Sequence, residues 1–179
     1  DNFSKEFFKK PIIFCDIDNT ISKSEIRIKN NRYISNNKYQ INIKAFSRVE
    51  VMKDKVIENS VESNHKLLQN YRLYFLTARG NYQDAYDTTR EWLYMNNFNY
   101  DKLFVVNSSI DKIKLIKNIV KSNNVPNILI DDCTHKHEND ICELKKNIIQ
   151  EFENNKINIC IFKNNWSHII DNIQNMLNI

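Results

Sequence analysis

Glycine is nearly absent from this chain: a single residue, Gly80, occurs among 179. Loops that cradle phosphates or dinucleotides need several glycines, because a residue without a Cβ lets the backbone approach the ligand closely. The scarcity therefore excludes a Walker A loop and a dinucleotide-binding fingerprint. It also excludes the G-x-S-x-G turn that presents a nucleophilic serine.

Cysteine is scarce too, with four residues scattered along the chain: Cys15, Cys133, Cys142 and Cys160. None of them is followed six residues later by arginine, so the cysteine loop of tyrosine phosphatases is absent. Cys15 and Cys160 fall in strands that we expect to be buried. This distribution favours reduced thiols and a cytoplasmic location.

Long apolar runs are missing as well. No segment approaches the roughly 18 apolar residues of a membrane helix, and the first residues lack the pattern of a signal peptide, so we expect no membrane partner. The net charge of +4 at pH 7 is a mild basic bias. Because the chain is rich in Asn, Lys and Ile, as an AT-rich genome would make it, this charge argues only weakly for an anionic partner.

What the sequence does contain is an alternation of short apolar runs with amphipathic segments. The apolar runs predict five strands, at residues 11–15, 71–77, 102–106, 126–132 and 157–162. The amphipathic segments predict helices at about 56–69, 84–98, 108–121, up to 152 and at 166–177. Strands that alternate with helices indicate an α/β fold with a parallel sheet. No linker or repeat interrupts residues 1–179, so we expect one domain.

Polar side chains follow three of the predicted strands at the point where each strand ends. Asp16 and Asp18 follow the first strand, Thr77 ends the second, and the pair Asp131-Asp132 ends the run NILIDD. Because parallel strands point in one direction, we expect these groups to meet at the carboxyl edge of the sheet, where such folds bind ligands.

Carboxylates that converge repel each other unless a cation lies among them. An oxygen-only ligand set is typical of a hard cation, and Mg²⁺ is the usual one when phosphate shares the coordination. A carboxylate beside a metal can attack phosphorus and form an aspartyl-phosphate that water then hydrolyses. The hydroxyl of Thr77 and a lysine of the following helix, Lys112 or Lys114, would stabilise the charge of the transferring group.

In this order the residues resemble the signature of the haloacid dehalogenase-like phosphohydrolases. That family carries an Asp-x-Asp-x-Thr/Val motif, a Ser or Thr after a later strand, a lysine and an acidic pair. The corresponding residues here are Asp16-Ile17-Asp18-Asn19-Thr20, Thr77, Lys112 and Asp131-Asp132. The resemblance covers residues 11–135 and implies a three-layer Rossmann-like core.

The resemblance also implies roles for the acidic residues. Asp16 would be the nucleophile, and Asp18 the general acid and base that serves the leaving oxygen. Mg²⁺ would bind Asp16, the main-chain carbonyl of Asp18 and Asp132, with Asp131 in support.

Further positions are assigned through the same resemblance. Lys112 is taken as the motif lysine, although Lys114 and Lys117 occupy the same predicted helix. Thr20 and Asn19 are expected to bind substrate. Arg79, in FLTAR, matches an arginine of the branch that contains polynucleotide kinase-phosphatase 3′-phosphatase domains and acid-phosphatase-like or nucleotidase relatives. By this match Arg79 would either bind phosphate or hold the local structure in place.

The segment between the first strand and the first long helix, residues 21–55, is the predicted flap. Residues 22–44 partly alternate between apolar and polar, which predicts one or two hairpin strands with Asn-rich turns. So short an insertion leaves little or no cap and an open site that admits bulky substrates.

The flap is basic, with Glu25 as the one acidic residue between positions 23 and 44. It carries six basic and two aromatic residues there: Lys23, Arg27, Lys29, Arg32, Lys38, Lys44, Tyr33 and Tyr39. Basic and aromatic residues beside a phosphatase site would suit a nucleotide or a nucleic-acid end. The alternative is a solvated lysine-rich loop that reflects composition alone.

The motif residues have less specific explanations. Asp16 and Asp18 could cap a turn, as aspartate often does, but the register of Thr77 with the later acidic pair argues against this. Bacterial receiver domains also use an acidic pair, a phosphorylated Asp, a Thr and a Lys. Their acidic pair comes first and their lysine last, so the order here is wrong for them.

A second cluster of potential ligands lies in CTHKHENDIC: Cys133, His135, His137 and Cys142. Their spacing matches no recognised zinc finger, and the segment is predicted to open a helix. We therefore expect these residues to cover the rim of the site or to face solvent.

The sequence thus predicts an Mg²⁺-dependent phosphatase. Its substrate would be a phosphorylated small molecule such as a sugar phosphate, a nucleotide, or a nucleic-acid 3′ end. The alternative from another class is a catalytically silent phosphohydrolase-like module that binds a partner or nucleic acid. The intact motif set argues against it, because a silent module would tolerate the loss of Asp18 or Thr77.

Overall fold

A five-stranded parallel sheet forms the centre of the computed structural model, which describes residues 2–80, 82–133 and 141–177, except the side chains of 38, 39 and 141–146. In chain order the strands are β1 Ile12–Cys15, β2 Arg32–Ser35, β3 Lys38–Ile41, β4 Arg72–Ala78, β5 Lys102–Val106, β6 Asn127–Asp131 and β7 Ile159–Ile161. The helices are α1 Asn2–Phe7, α2 Glu25–Asn30, α3 Arg48–Val51, α4 Ser60–Asn70, α5 Ala85–Met95, α6 Ser109–Asn123, α7 Ile141–Asn154 and α8 Ile169–Leu177. A 3-10 turn spans Ile43–Phe46, and β2 pairs with β3 in a separate antiparallel hairpin.

The strand order of the sheet is β5-β4-β1-β6-β7. β1 is central, so that Phe14 lies opposite Tyr74 of β4 on one side and Leu129 of β6 on the other. The chain extends from β1 first towards β5 and then, after β5, towards β7. The order therefore reverses at β1, and such a reversal leaves a crevice at the carboxyl ends of the strands.

Apolar side chains cover both faces of the sheet. On one face Ile13 packs in a core with Trp92 of α5 and Ile173 of α8. On the other face Phe14 packs in a core with Ile116 of α6. Successive residues of β1 thus point to opposite faces, and both faces are buried, which explains its continuous apolar run. This is the three-layer α/β arrangement predicted from the sequence.

The flap differs from its prediction in its first half. Residues 32–41 form the expected hairpin, but residues 25–30 form helix α2 rather than a strand. The alternation of Ile26 and Ile28 suggested a strand with both on one face. In the helix Ile28 is buried while Ile26 is 72% exposed, and Arg27 is buried beside Ile28. An ion pair rather than hydrophobic alternation decides which residues face inward here.

Some element boundaries also differ. The helix expected from about residue 56 begins at Ser60, because Val56 bridges to Ser22 and Ile57 donates its N–H to the carbonyl of Ile21 at 2.8 Å. The short helices α1 and α3 were not predicted. Within the described ranges, none of the helices has both the length and the apolar character needed to cross a bilayer.

Asparagine takes the backbone conformations that glycine usually supplies. Among the described residues, ten that are not glycine have a positive φ, and seven of these ten are asparagines. Asn36 and Asn37, with φ of 52° and 60°, form the two-residue turn between β2 and β3. The favoured turn of such a hairpin needs positive φ at both positions. Asn tolerates this region because its short side chain can hydrogen-bond locally.

The one glycine lies where two loops of the crevice touch. Gly80, just after β4, donates its N–H to the carbonyl of Val106 at 2.9 Å. A Cβ at this position would lie 2.3 Å from Oδ1 of Asn107 and 3.1 Å from the main chain of Val106. The absence of a side chain therefore lets the loop after β4 pack directly on the loop after β5.

We expect Gly80→Ala to lower the free energy of unfolding by about 1–3 kcal/mol, as overpacking of a close contact does. Thermal or urea unfolding measures this loss. In a double-mutant cycle, Asn107→Ala should restore part of it, because it removes the nearest of the colliding atoms. An additive double mutant would contradict the account.

Candidate active site

Three carboxylates meet where β1 and β6 end. Asp16 follows β1 directly, Asp131 ends β6, and Asp132 follows it. Each offers an oxygen, and these oxygens lie within 4.8 Å of one another. All three residues are buried, with 6–8% of their surface exposed. Because β1 and β6 pair in the sheet, the backbone brings the carboxylates together without any long loop.

Lys112 balances part of this charge. Its Nζ donates to Oδ1 of Asp16 at 2.8 Å and to Oδ2 of Asp131 at 3.0 Å. The residue lies in the first turn of α6, which Ser108 caps by accepting the N–H of Asp111 at 3.2 Å. Lys112 is buried.

Of the three candidate motif lysines, Lys112 is therefore the one in the site. Lys114 is exposed, and Lys117 donates instead to Oδ1 of Asn155 at 3.0 Å. The difference arises because residues two and five positions further along a helix point away from the face that carries Lys112.

The electrostatics of this group favour a divalent cation. With every group ionised, the three carboxylates and the one ammonium carry a net charge of −2. Burial and the charge of Asp131 raise the pKa of Asp16 well above its ordinary value, although Lys112 opposes the shift. Burial alone would lower the pKa of Lys112, but the carboxylates of Asp131 and Asp16 outweigh it and raise that pKa. Buried oxygen ligands with a net charge of −2 fit Mg²⁺.

Asp18 lies beside this cluster but is held by arginines. Arg79 donates through Nε to Oδ2 of Asp18 at 2.8 Å and through Nη2 to Oδ1. Arg27 donates through Nη2 to the same Oδ1 at 2.9 Å. Burial by itself would raise the pKa of Asp18, but the two guanidinium groups hold it well below its ordinary range. Asp18 is therefore ionised in this arrangement.

Arg27 is the residue that sequence reasoning misplaced. It is one of the six basic flap residues that would suit a nucleotide or a nucleic-acid end, but the structure buries it to 6% exposure. It reaches Asp18 and binds both carboxylate oxygens of Asp54, with Nε at 3.0 and 3.1 Å. Asp54 was not predicted at all. No local pattern marks either residue, because the ion pair joins positions 27 residues apart.

The remaining predicted residues divide into two groups. Thr77 is buried at the end of β4 and lines a cavity together with Asp16, Asp18 and Lys112. The lining does not include Asn19, Thr20 or Arg79. Arg79 acts on Asp18 as described.

Asn19 and Thr20 shape the loop after β1. The N–H of Asn19 donates to the carbonyl of Ser22 at 2.8 Å, and the carbonyl of Thr20 accepts from Nε1 of Trp166 at 2.8 Å. Nδ2 of Asn19 and Oγ1 of Thr20 are buried and, among the described residues, have no hydrogen-bond partner. Substrate binding by these side chains stays a prediction.

The cavity has a volume of about 380 Å³, the lower part of the usual range for small-molecule sites. Asp16, Asp131 and Asp132 line the cavity and form what we call its acidic floor. The flap supplies an apolar wall that includes Ile28, Ile41 and Phe46, and Tyr82 stacks on Phe46 with ring centroids 3.9 Å apart. Polar residues 107–109, at the start of α6, also line the cavity.

The structure describes only part of the second cluster of potential ligands, in CTHKHENDIC. Cys133 is buried next to the acidic pair, and its N–H donates to Oδ1 of Asp131 at 2.8 Å. His135, His137 and the side chain of Cys142 lie outside the described residues.

Comparisons with known proteins identify the fold. No protein-family model matches the chain, and no curated protein matches it. A solved structure, a haloacid dehalogenase-like family hydrolase from Streptococcus pneumoniae, matches with a TM-score of 0.53 and 12% sequence identity. The match covers 94% of this chain and 99% of that one. The chain therefore has the fold of a haloacid dehalogenase-like hydrolase.

Proposed function

We propose that this protein is an Mg²⁺-dependent phosphomonoester hydrolase that works through an aspartyl-phosphate on Asp16. The observation that carries the proposal is the buried trio Asp16, Asp131 and Asp132, bridged by Lys112, on the floor of a cavity at the switch point of the sheet. Such a floor suits a substrate that brings negative charge together with a cation.

The metal would be held by oxygen ligands of the chain. Asp16 and Asp132 would bind it with their carboxylates and Asp18 with its main-chain carbonyl, and Asp131 would support them while accepting from Lys112. When bound, Mg²⁺ would offset the excess negative charge and stabilise the charge on the phosphoryl oxygens.

The chain's own groups account for both chemical steps. A carboxylate oxygen of Asp16 attacks phosphorus, the ester P–O bond breaks, and the leaving oxygen takes a proton from Asp18. Thr77 and Lys112 donate to the phosphoryl oxygens. Water then attacks the phosphorus of phospho-Asp16 and gives its proton to Asp18, which releases inorganic phosphate and restores Asp16.

The pairing of Asp18 with two arginines bears on the first of these steps. A carboxylate held ionised cannot donate a proton until it has taken one up. A phosphate dianion that enters the cavity would bring negative charge close to Asp18, and this charge would raise the proton affinity of Asp18 while Arg27 and Arg79 stay in place. The second step needs no such change, because there Asp18 acts as a base.

A nucleic-acid end or a nucleotide is the second candidate for the substrate. Apart from the buried Arg27, residues 22–44 carry five basic residues and one acidic residue, a charge of +4, which equals that of the whole chain. The basic charge is thus concentrated on the flap, beside the cavity. Lys23, Lys29 and Lys44 are exposed, and Tyr33 is 51% exposed. These residues would suit a substrate with phosphates beyond the one that is hydrolysed.

We expect the protein to release phosphate from p-nitrophenyl phosphate with Mg²⁺, and Asp16→Asn or EDTA to abolish the release. Asp171→Asn, an exposed aspartate of α8, is the matched control and should retain activity. A panel of 3′- and 5′-phosphorylated oligonucleotides, mononucleotides and sugar phosphates then ranks the substrates. An inactive wild type that binds nucleic acid would favour the silent module instead.

Substitution of Asp18 should mainly lower turnover, whereas substitution of Asp132 should remove Mg²⁺ binding. Asp18→Asn should lower turnover by about 10²–10⁴-fold, the range of general acid–base catalysis, and leave Mg²⁺ affinity nearly unchanged, because its metal contact would be through the backbone. Asp132→Asn should lose Mg²⁺ binding itself. Isothermal titration with Mg²⁺ measures the metal affinity of the two variants. An Asp18→Asn protein that loses the metal as completely as Asp132→Asn would overturn the assignment.

A further inference from the structure

A buried ion-pair network connects Asp18 to Asp54, near the end of the flap segment. The guanidinium of Arg27 lies between Asp18 and Asp54: Nη2 donates to Oδ1 of Asp18 and to Oδ2 of Asp54, both at 2.9 Å. Nε of Arg27 completes a bidentate contact with Asp54. Side chains of Arg27 and Asp54 are only 4% and 3% exposed, so solvent screens this contact little.

Arg27 is fixed from every side that the structure describes. Its Nη1 donates to the carbonyl of Ala45 at 2.6 Å, and its guanidinium carbon lies 5.1 Å from the ring centroid of Phe46. These contacts tie helix α2 to the 3-10 turn that forms part of the cavity wall. One guanidinium group therefore links the flap to the Asp18 carboxylate, which Arg79 also holds.

Asp54 is the group that holds this guanidinium in place. Its own segment is anchored independently, because its main-chain carbonyl accepts from Nε1 of the buried Trp92 at 3.1 Å. The four side chains Asp18, Arg27, Asp54 and Arg79 are neutral together, and without Asp54 they would carry a net positive charge. Removing one partner leaves buried charge uncompensated, which is strongly unfavourable, so we expect Arg27 to shift towards Asp18 when Asp54 is changed.

We propose that Asp54 is a positioning residue for proton transfer: through Arg27 it fixes the orientation of the Asp18 carboxylate towards the leaving oxygen. This inference rests on the proposed function and extends it to a residue that touches neither substrate nor metal. Misplacing a catalytic group by about an ångström costs up to about a hundredfold in rate, so the indirect contact is large enough to matter.

The leaving group separates this role from a structural one. An alkyl leaving oxygen, as in glycerol 2-phosphate, needs a proton as the ester bond breaks, whereas p-nitrophenolate is stable without one. A variant with a misplaced Asp18 therefore forms phospho-Asp16 slowly from the alkyl ester and at nearly the wild-type rate from the aryl ester. The later hydrolysis step, in which Asp18 is the base, is common to the two esters. A variant that is merely less stable forms phospho-Asp16 more slowly from both esters, to the same extent.

The test compares Asp54→Asn with wild type on both esters, in the presence of Mg²⁺. We expect the rate at which phospho-Asp16 forms, measured by acid quench in a single turnover, to fall about tenfold to a hundredfold with glycerol 2-phosphate and to change by less than about threefold with p-nitrophenyl phosphate. In an Asp18→Asn background, Asp54→Asn should have no further effect on the alkyl ester, because the group it positions is gone.

The matched control is Asp101→Asn, which alters a carboxylate that accepts the N–H of Leu73 at 2.9 Å near the opposite edge of the sheet. It should show no dependence on the leaving group. If Asp54→Asn is unfolded at the assay temperature by circular dichroism, Arg27→Gln removes the other half of the same contact and carries the same expectations.

Two results would overturn the inference while leaving the proposed function intact: equal losses in the rate of phospho-Asp16 formation from the two esters, or a further loss in the Asp18→Asn background. A wild type that hydrolyses neither ester would instead remove the proposed function, and the inference with it.

Discussion

The convergence of three carboxylates at the buried ends of β1 and β6 is the constraint on which the rest of the site depends. Two paired parallel strands place Asp16 beside Asp131 and Asp132, and repulsion among them has to be offset within the protein. Lys112, in the first turn of α6, offsets part of this repulsion through its ion pairs with Asp16 and Asp131. The remaining negative charge suits a divalent cation with oxygen ligands.

A second set of buried charges lies one residue further along the same loop. Asp18 is separated from Asp16 by Ile17, whose buried side chain belongs to the core, so the two aspartates point into different surroundings. Asp16 faces other carboxylates and has a raised pKa, whereas Asp18 faces two arginines and has a lowered one. The two aspartates therefore differ in their electrostatic surroundings, although only one residue separates them.

The sequence predicted those parts of the fold and site that local patterns encode. The strands of the sheet appear as short apolar runs, and the acidic residues appear where these runs end, so both could be found without coordinates. Helix α2 and the ion pair of Arg27 with Asp54 could not, because a contact between residues 27 positions apart leaves no periodicity. The sequence narrowed the motif lysine to three candidates in one helix. Only the orientation of α6 on the sheet shows that Lys112 is the one beside the carboxylates.

The most direct test of the account is to trap the phosphorylated enzyme. Asp18→Asn protein, mixed with ³²P-labelled p-nitrophenyl phosphate and Mg²⁺ and then quenched in acid, should retain label, because the base for hydrolysis is missing while the leaving group needs no acid. Peptide mapping should locate the label on Asp16, and an Asp16→Asn/Asp18→Asn protein should carry none. Label on another residue, or release of p-nitrophenolate without any label on Asp16, would contradict the account.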